Sequence, residues 1–267
     1  MMMNKLAKVT ILVLLITALL GTLIVIFMQH APSRVSLKPE ECAKRYVLAF
    51  YYPWYGSRSG AAGRWRHWNH PVTNRHTKEV LSVHNPEVFI DGNRRDIGSA
   101  HYPLLGPYDS LNDSIIKTHF KWALQTGIDG FICSWWGIGD FTDIAFKKMI
   151  KIAEEEGFNV KLTIYYESVG LTAHRDAEEV ANDIKYIIEN YGNSDVFLKI
   201  NETSTIFVYS VEVKPVSYWE RVREILHESR VNATLIADTF NDKYARIFDG
   251  IHRYNPIHFL FDPSGFL

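Results

Sequence analysis

The sequence predicts an α/β fold: a (β/α)8 TIM-type barrel, incomplete at about six β-α units and preceded by an N-terminal transmembrane helix. Three observations predict it. Short apolar strands alternate with helices whose apolar residues recur at helical spacing, as in a parallel sheet wrapped by helices. The long loops rich in aromatic residues all follow strands, which suits the carboxyl-end face of a barrel. Twenty consecutive positions near the start, Val9 to Met28, carry no charge. A doubly wound open sheet is the alternative; no GxGxxG follows a strand, so it carries no nucleotide fingerprint.

The uncharged run is long enough to span about 30 Å as a helix, the thickness of a bilayer core. Lys5 and Lys8 precede it. A cleaved signal peptide is the rival reading, but its apolar region is usually only about 7–15 residues long. The expected organisation is a membrane anchor at 1–30, a linker at 31–45 and a barrel domain at 46–267. The protein is then single-pass, with its domain outside the cytosol, or secreted if the segment is cleaved. Three Asn-x-Ser/Thr sequons, at Asn112, Asn201 and Asn232, matter only in a glycosylating compartment. Cys42 and Cys133 make no disulfide framework, and Cys133, inside an apolar strand, reads as a buried free thiol.

The domain opens with a strand at Val47–Tyr52, followed by a long loop to about Asn112. A helix over Ser114–Thr126, capped by Asp113, turns Ile115, Ile116, His119, Phe120 and Ala123 inward and ends at Gly127. A strand follows at Gly130–Trp135. Next comes a helix over Asp143–Glu156, with Ile144, Phe146 or Lys147, Met149, Ile150 and Ala153 at helical spacing and Gly157 as its stop. A strand at Val160–Tyr166 leads to a helix over Ala177–Tyr191, closed by Gly192. Strands at Ser204–Ser210, Asn232–Asp238 and Gly250–His252 complete the succession, with a helix at Ser217–Glu228 and a short one before the last strand.

Strand ends deliver the candidate site. The first strand brings Tyr51, Tyr52 and Trp54, and its loop adds Trp65, His67 and His70. The second brings Ser134, Trp135 and Trp136, the third Tyr165, Tyr166 and Glu167, the fifth Asp238, and the sixth His252 and Tyr254. Tryptophan, tyrosine and histidine pair an apolar body with a polar tip, which suits a polar ligand with apolar faces such as a sugar. Acids among such rings could do the acid–base work of glycoside cleavage. Each piece has a plainer reading. Single rings pack under loops; one of Trp135 and Trp136 is expected to be packing. The His67/His70 pair fits hydroxyl binding better than metal, since no third ligand has a telling spacing. Asp238 and Asp262 can each cap a loop or helix. Net charge of −1 gives no hint of nucleic acid, and no cofactor is expected.

Several segments together resemble glycoside hydrolase family 99, the endo-α-mannosidases and endo-α-mannanases. They are FYYPWYG (Phe50–Gly56), RWRHWNHP (Arg64–Pro71), HNP (His84–Pro86), DIGSAHYPLLGPYDS (Asp96–Ser110), TGIDGFICSWWG (Thr126–Gly137), KLTIYYES (Lys161–Ser168), KYIIENYGN (Lys185–Asn193) and FDGIHRYNP (Phe248–Pro256). The resemblance implies a (β/α)8 barrel and metal-free, retaining cleavage of internal α-mannosidic bonds in a mannose-containing glycan. It also implies roles. Glu167 looks like the glutamate that approaches the sugar in the cleavage subsite, and Trp135 and Trp136 like an aromatic wall beside it. Tyr254 falls near a site tyrosine, and Tyr52, Trp54, His67 and His70 lie in first-loop signatures. The family's catalytic glutamates lie in an E-W-H-E motif, and this chain contains none. Two functions therefore remain: the family's endo-mannosidase activity with its catalytic pair outside this sequence, or a membrane-held, non-catalytic sugar-binding member.

Overall fold

A computed structural model describes residues 45–74, 77–167 and 170–255. The run Val9–Met28, Cys42 and Asp262 lie outside the described residues. Among those described, no helix is long and apolar enough to cross a membrane.

Six parallel strands form the frame: β1 (Leu48–Tyr51), β6 (Gly130–Trp135), β7 (Lys161–Tyr166), β9 (Thr203–Val208), β10 (Thr234–Asp238) and β11 (Gly250–His252). Each pairs with the next in that order, so the sheet is laid down in chain order. Between β1 and β6 the chain makes two small antiparallel hairpins that the apolar pattern does not reveal: β2 (Val72–Thr73) with β3 (Val80–Ser82), and β4 (Phe89–Asp91) with β5 (Arg94–Arg95). A short β8 (Lys199–Ile200) pairs antiparallel with β9. The helices are α1 (Asp113–Gln125), α2 (Phe141–Glu155), α3 (Ala177–Tyr191), α4 (Val216–Glu228) and α5 (Asp242–Ala245). The predicted β-α succession is thus present, with six parallel strands of a barrel-type sheet among the described residues.

The strands read as continuous apolar runs because both faces are covered. Alternate residues face the helices: Phe131, Cys133 and Trp135 on β6, Leu162, Ile164 and Tyr166 on β7, and Ile206 and Val208 on β9 join one large core. Their neighbours Ile132, Tyr165 and Phe207 form a second cluster on the concave side, with Leu48, Phe50 and Ile236 packed on it. Burial of each such side chain contributes about 1.5–3 kcal/mol. The sheet curls far enough that the Phe50 ring lies 5.1 Å from Tyr254 and 5.9 Å from His252.

Several local expectations change. Helix α1 is capped by Asn112, whose side chain accepts from the amides of Ser114 and Ile115; Asp113 is its first residue. Helix α2 is capped by Asp140 and starts two positions before the expected Asp143. Ile144 points outward, 51% exposed, because it lies about 200° around the helix from Phe146; Ala145 and Ile152 are buried instead. Gly127 and Gly157 adopt left-handed φ values of +78° and +68° and end their helices as expected. Gly192 keeps a right-handed φ of −62°. A side chain there would meet the Ile188 carbonyl oxygen at 2.7 Å, so close approach, not handedness, favours glycine. Cys133 is a fully buried thiol whose pKa is raised by that burial.

Candidate active site

The first loop builds a stack of rings at the carboxyl end of β1. Pro53 and Gly56 end the strand, and the indole of Trp54 is sandwiched between Tyr52 and His67, each 4.6 Å from it. His70 extends the stack, 5.8 Å from His67 and nearly parallel to it. His67 reaches this position with a left-handed φ of 59°, a conformation tolerated only where surroundings hold it. Burial, then the nearby His70 and Arg66, lower its pKa. Beneath the stack, Tyr55 stacks on Trp68 at 4.1 Å, and the Trp68 indole donates to the Tyr108 carbonyl at 2.7 Å. The buried Asp109 ties this loop, accepting from the amides of Ser57, Ala62 and Leu111.

Glu167 follows β7 and is nearly covered, 7% exposed. Ser134, one strand away on β6, donates its hydroxyl proton to Glu167 Oε1 at 2.5 Å. Burial raises the Glu167 pKa to about 7, and the Ser134 bond opposes that rise. The phenols of Tyr52, Tyr165 and Tyr209 all feel the Glu167 charge, and burial first of all pushes their own pKa values up. Trp136 sits beside Trp54, ring centres 6.4 Å apart, and its indole donates to Ser134 Oγ at 3.0 Å. Tyr254 closes the far side: its hydroxyl meets that of Tyr52 at 2.5 Å.

Asp238 is committed to structure. Its two oxygens accept from the amides of Tyr254 and Ser210, and Arg253 lies 3.6 Å away. It thereby sets the position of Tyr254. The Nε2 of His252, the hydroxyl of Tyr165 and the indole nitrogen of Trp54 are buried with no hydrogen-bond partner among the described residues. Buried polar atoms are costly when unpaired, so these three mark where a polar ligand or water would be welcomed.

The structure thus gathers Tyr52, Trp54, His67, His70, Trp136, Glu167 and Tyr254 at one end of the sheet. Two further candidates stand elsewhere. Trp135 alternates to the helix side of β6, where it is wholly buried and its indole donates to Asp143 Oδ1 at 2.8 Å. Trp65 lies by the hairpins, with its indole donating to Glu87 at 2.7 Å and the Arg95 guanidinium 5.4 Å above its ring. Ser134 was placed among the strand-end residues but given no role; a serine on the concave side of a buried strand, one residue from a tryptophan, was the available signal. The His67 and His70 rings stack side by side, and among the described residues no cluster of three or more His, Cys, Asp or Glu side chains is placed to hold a metal. A groove of about 1070 Å³ lies between the amino end of β10 and the carboxyl end of α4, lined by Asn201, Arg223, His227, Asn232 and Asp249. It is spread over surface polar groups, and the convergent rings and the raised carboxyl are not part of it.

The family model for glycosyl hydrolase family 99 matches residues 42–254. The glycoprotein endo-alpha-1,2-mannosidase of Mus musculus is 28% identical over 248 residues, which are 83% of this chain and 51% of that protein. Its Xenopus laevis counterpart is 31% identical over 161 residues, 56% of this chain and 33% of that protein. The structure of the endo-alpha-mannosidase from Bacteroides thetaiotaomicron superposes with a TM-score of 0.65 at 24% identity, covering 78% of this chain and 60% of that one. This chain spans about half the length of the mouse relative it matches. The matched span takes in all six parallel strands and every ring of the stack, and the chain belongs to glycosyl hydrolase family 99.

Proposed function

We propose that the carboxyl-end face of this sheet binds the α-mannosyl part of a glycan, as the glycan-holding half of an endo-α-mannosidase-type hydrolase that cleaves internal α-mannosidic bonds with retention. One observation carries this reading: a carboxyl of raised pKa, Glu167, is joined through the Ser134 hydroxyl to the Trp136 indole, beside the stack of Tyr52, Trp54 and His67. Stacked rings hold the apolar faces of pyranoses, and a carboxyl near neutrality can donate or accept a hydrogen bond. Similarity to the mouse and frog mannosidases supports the choice of mannose. Anchoring through Val9–Met28, with the domain outside the cytosol, belongs to the same proposal and rests on the uncharged run alone.

A second reading, glycan binding without hydrolysis by these residues, is favoured by Asp238. Retaining cleavage by direct attack uses two carboxyl groups about 5–5.5 Å apart. Of the two acids at the strand ends described above, Asp238 is consumed by backbone amides and Arg253, which leaves Glu167. The test is calorimetric titration of the full chain, in detergent micelles, with a mannose oligosaccharide containing α-1,2 links, followed by product analysis. Binding that Trp54→Ala and Glu167→Gln both weaken supports the proposal. Binding without product selects the second reading; absence of binding, with the fold intact, would defeat both.

A further inference from the structure

We propose that Ser134 is a positioning residue whose hydroxyl links the Trp136 indole to the Glu167 carboxyl, so that the charge of the acid and the seating of the ring change together. This rests on the reading of Trp136 and Glu167 as glycan-facing groups.

The argument is one of proton counting. An indole N–H can only donate, so in the 3.0 Å contact Ser134 Oγ is the acceptor. A hydroxyl has one proton, and that of Ser134 goes to Glu167 Oε1 at 2.5 Å. Oε1 is therefore held as an acceptor whether Glu167 is ionised or not, and the titrating proton sits on Oε2. When Glu167 ionises, the serine donates to a charged oxygen. Such bonds are roughly twice as strong as neutral ones, and the polarised serine oxygen becomes a better acceptor for the indole. Ser134 is 1% exposed, so water does not compete for either bond.

Trp136 has little freedom apart from this link. Its backbone amide donates to Thr142 Oγ1 at 2.9 Å, and that hydroxyl donates to Asp140 at 2.7 Å. On the other side a side chain at Gly170 would lie 2.1 Å from Trp136 Cζ3, so the glycine backbone abuts the ring. The ring is pinned at its backbone and along one edge, and its indole nitrogen is the remaining handle.

The groups facing Glu167 are shifted away from its range. Tyr52 from the end of β1, Tyr165 from β7 and Tyr209 from the end of β9 are all held above the ordinary phenol range. Beyond them, burial lowers the pKa values of His67 and His252 from the ordinary imidazole value. Asp238 faces Tyr165 and Tyr209, and Arg253, 3.6 Å from Asp238, faces Tyr209.

The experiment is a pH titration of the full chain in micelles, without glycan, read by tryptophan emission and by the carbon-13 shift of the Glu167 carboxyl. Both should report one transition near pH 7. Glu167→Gln should abolish it. Ser134→Ala should raise the carboxyl midpoint by about one pH unit, because a bond to the charged form is lost, and should disconnect the emission from it. Ser134→Thr should restore both. Trp136→Phe keeps the serine and should raise the carboxyl midpoint by a smaller amount. An unchanged midpoint in Ser134→Ala with a native circular dichroism spectrum would overturn the proposal, as would an unchanged midpoint in Trp136→Phe if the alanine variant does not fold. The same samples are then given the α-1,2-linked oligosaccharide. The expected titration with no binding supports the serine link and defeats the glycan reading; binding with no titration does the reverse.

Discussion

The hydroxyl of Tyr52 lies 2.5 Å from that of Tyr254, although 202 positions separate them in sequence. Tyr52 follows the first strand of the sheet and Tyr254 the sixth, so this bond spans the mouth of the curved sheet. Each hydroxyl should contribute about 0.5–1 kcal/mol through the other. Tyr52→Phe and Tyr254→Phe should each destabilise by that amount, and the double variant should lose no more than one of them. Urea unfolding of the four proteins in a double-mutant cycle measures this; strictly additive losses would show that the bond does not form.

Stability should depend on pH through Glu167. Its folded pKa, about 7, lies above the ordinary carboxyl value of 4.5 because burial disfavours the charge. The folded state therefore binds more protons than the unfolded state between those values. The group's contribution is fully present below about pH 4.5 and is lost as pH rises through 7. Glu167→Gln should remove this slope and raise stability at pH 8 by on the order of 1–3 kcal/mol. Thermal melts of both proteins from pH 5 to 8 test the sign: a slope that survives in the glutamine variant would assign it elsewhere.

Adjacent tryptophans should behave oppositely. Trp135 is wholly buried on the helix side, and Trp135→Ala should cost about 3–5 kcal/mol. Trp136 is 39% exposed beside Trp54. Trp136→Ala should leave the unfolding midpoint within about 1 kcal/mol and weaken mannoside binding about tenfold or more, since a stacked ring is worth roughly 1.5 kcal/mol. Equal effects on both measurements would contradict the two-sided placement.

Asp143 should be a keystone of the helix side. Its buried carboxylate accepts from the Trp135 indole, the Gly139 amide and the hydroxyls of Tyr186 and Tyr191. Asp143→Asn replaces an acceptor by an NH2 group that faces donors, and should cost about 2–4 kcal/mol. Calorimetry detects this as a fall in melting temperature; an unchanged value would mean that the tyrosines have other partners.

The parallel frame was legible because apolar strands and capped helices repeat on one rhythm; α3 and β11 fall where the pattern puts them. The ring stack was legible as an aromatic cluster, since its members sit within twenty residues of Trp54. Two kinds of feature were not. The face on which a side chain lies in a strand covered on both sides cannot be read from an apolar run, so Trp135 and Trp136 looked alike. Hairpins as short as β2–β5 are stabilised by their loop's contacts, such as the His84–Asp96 bond at 2.6 Å, rather than by any periodic pattern. Ser134 was placed at the strand end without a role, because one hydroxyl in an apolar strand acquires meaning only from its neighbours on the next strand.

The chain-order sheet has a consequence for synthesis. Each parallel strand from β6 onward can dock on the parallel strand made before it, so the parallel sheet grows from one edge as the chain emerges. Tyr52, Trp54, His67 and Trp136 are all translated well before Tyr254. At about 5–20 residues per second, roughly 10–40 s pass between the first and last of them. Through that interval the Tyr52 hydroxyl lacks its Tyr254 partner, and the ring stack of the first loop stands on the nascent chain without the bond that spans the mouth of the sheet.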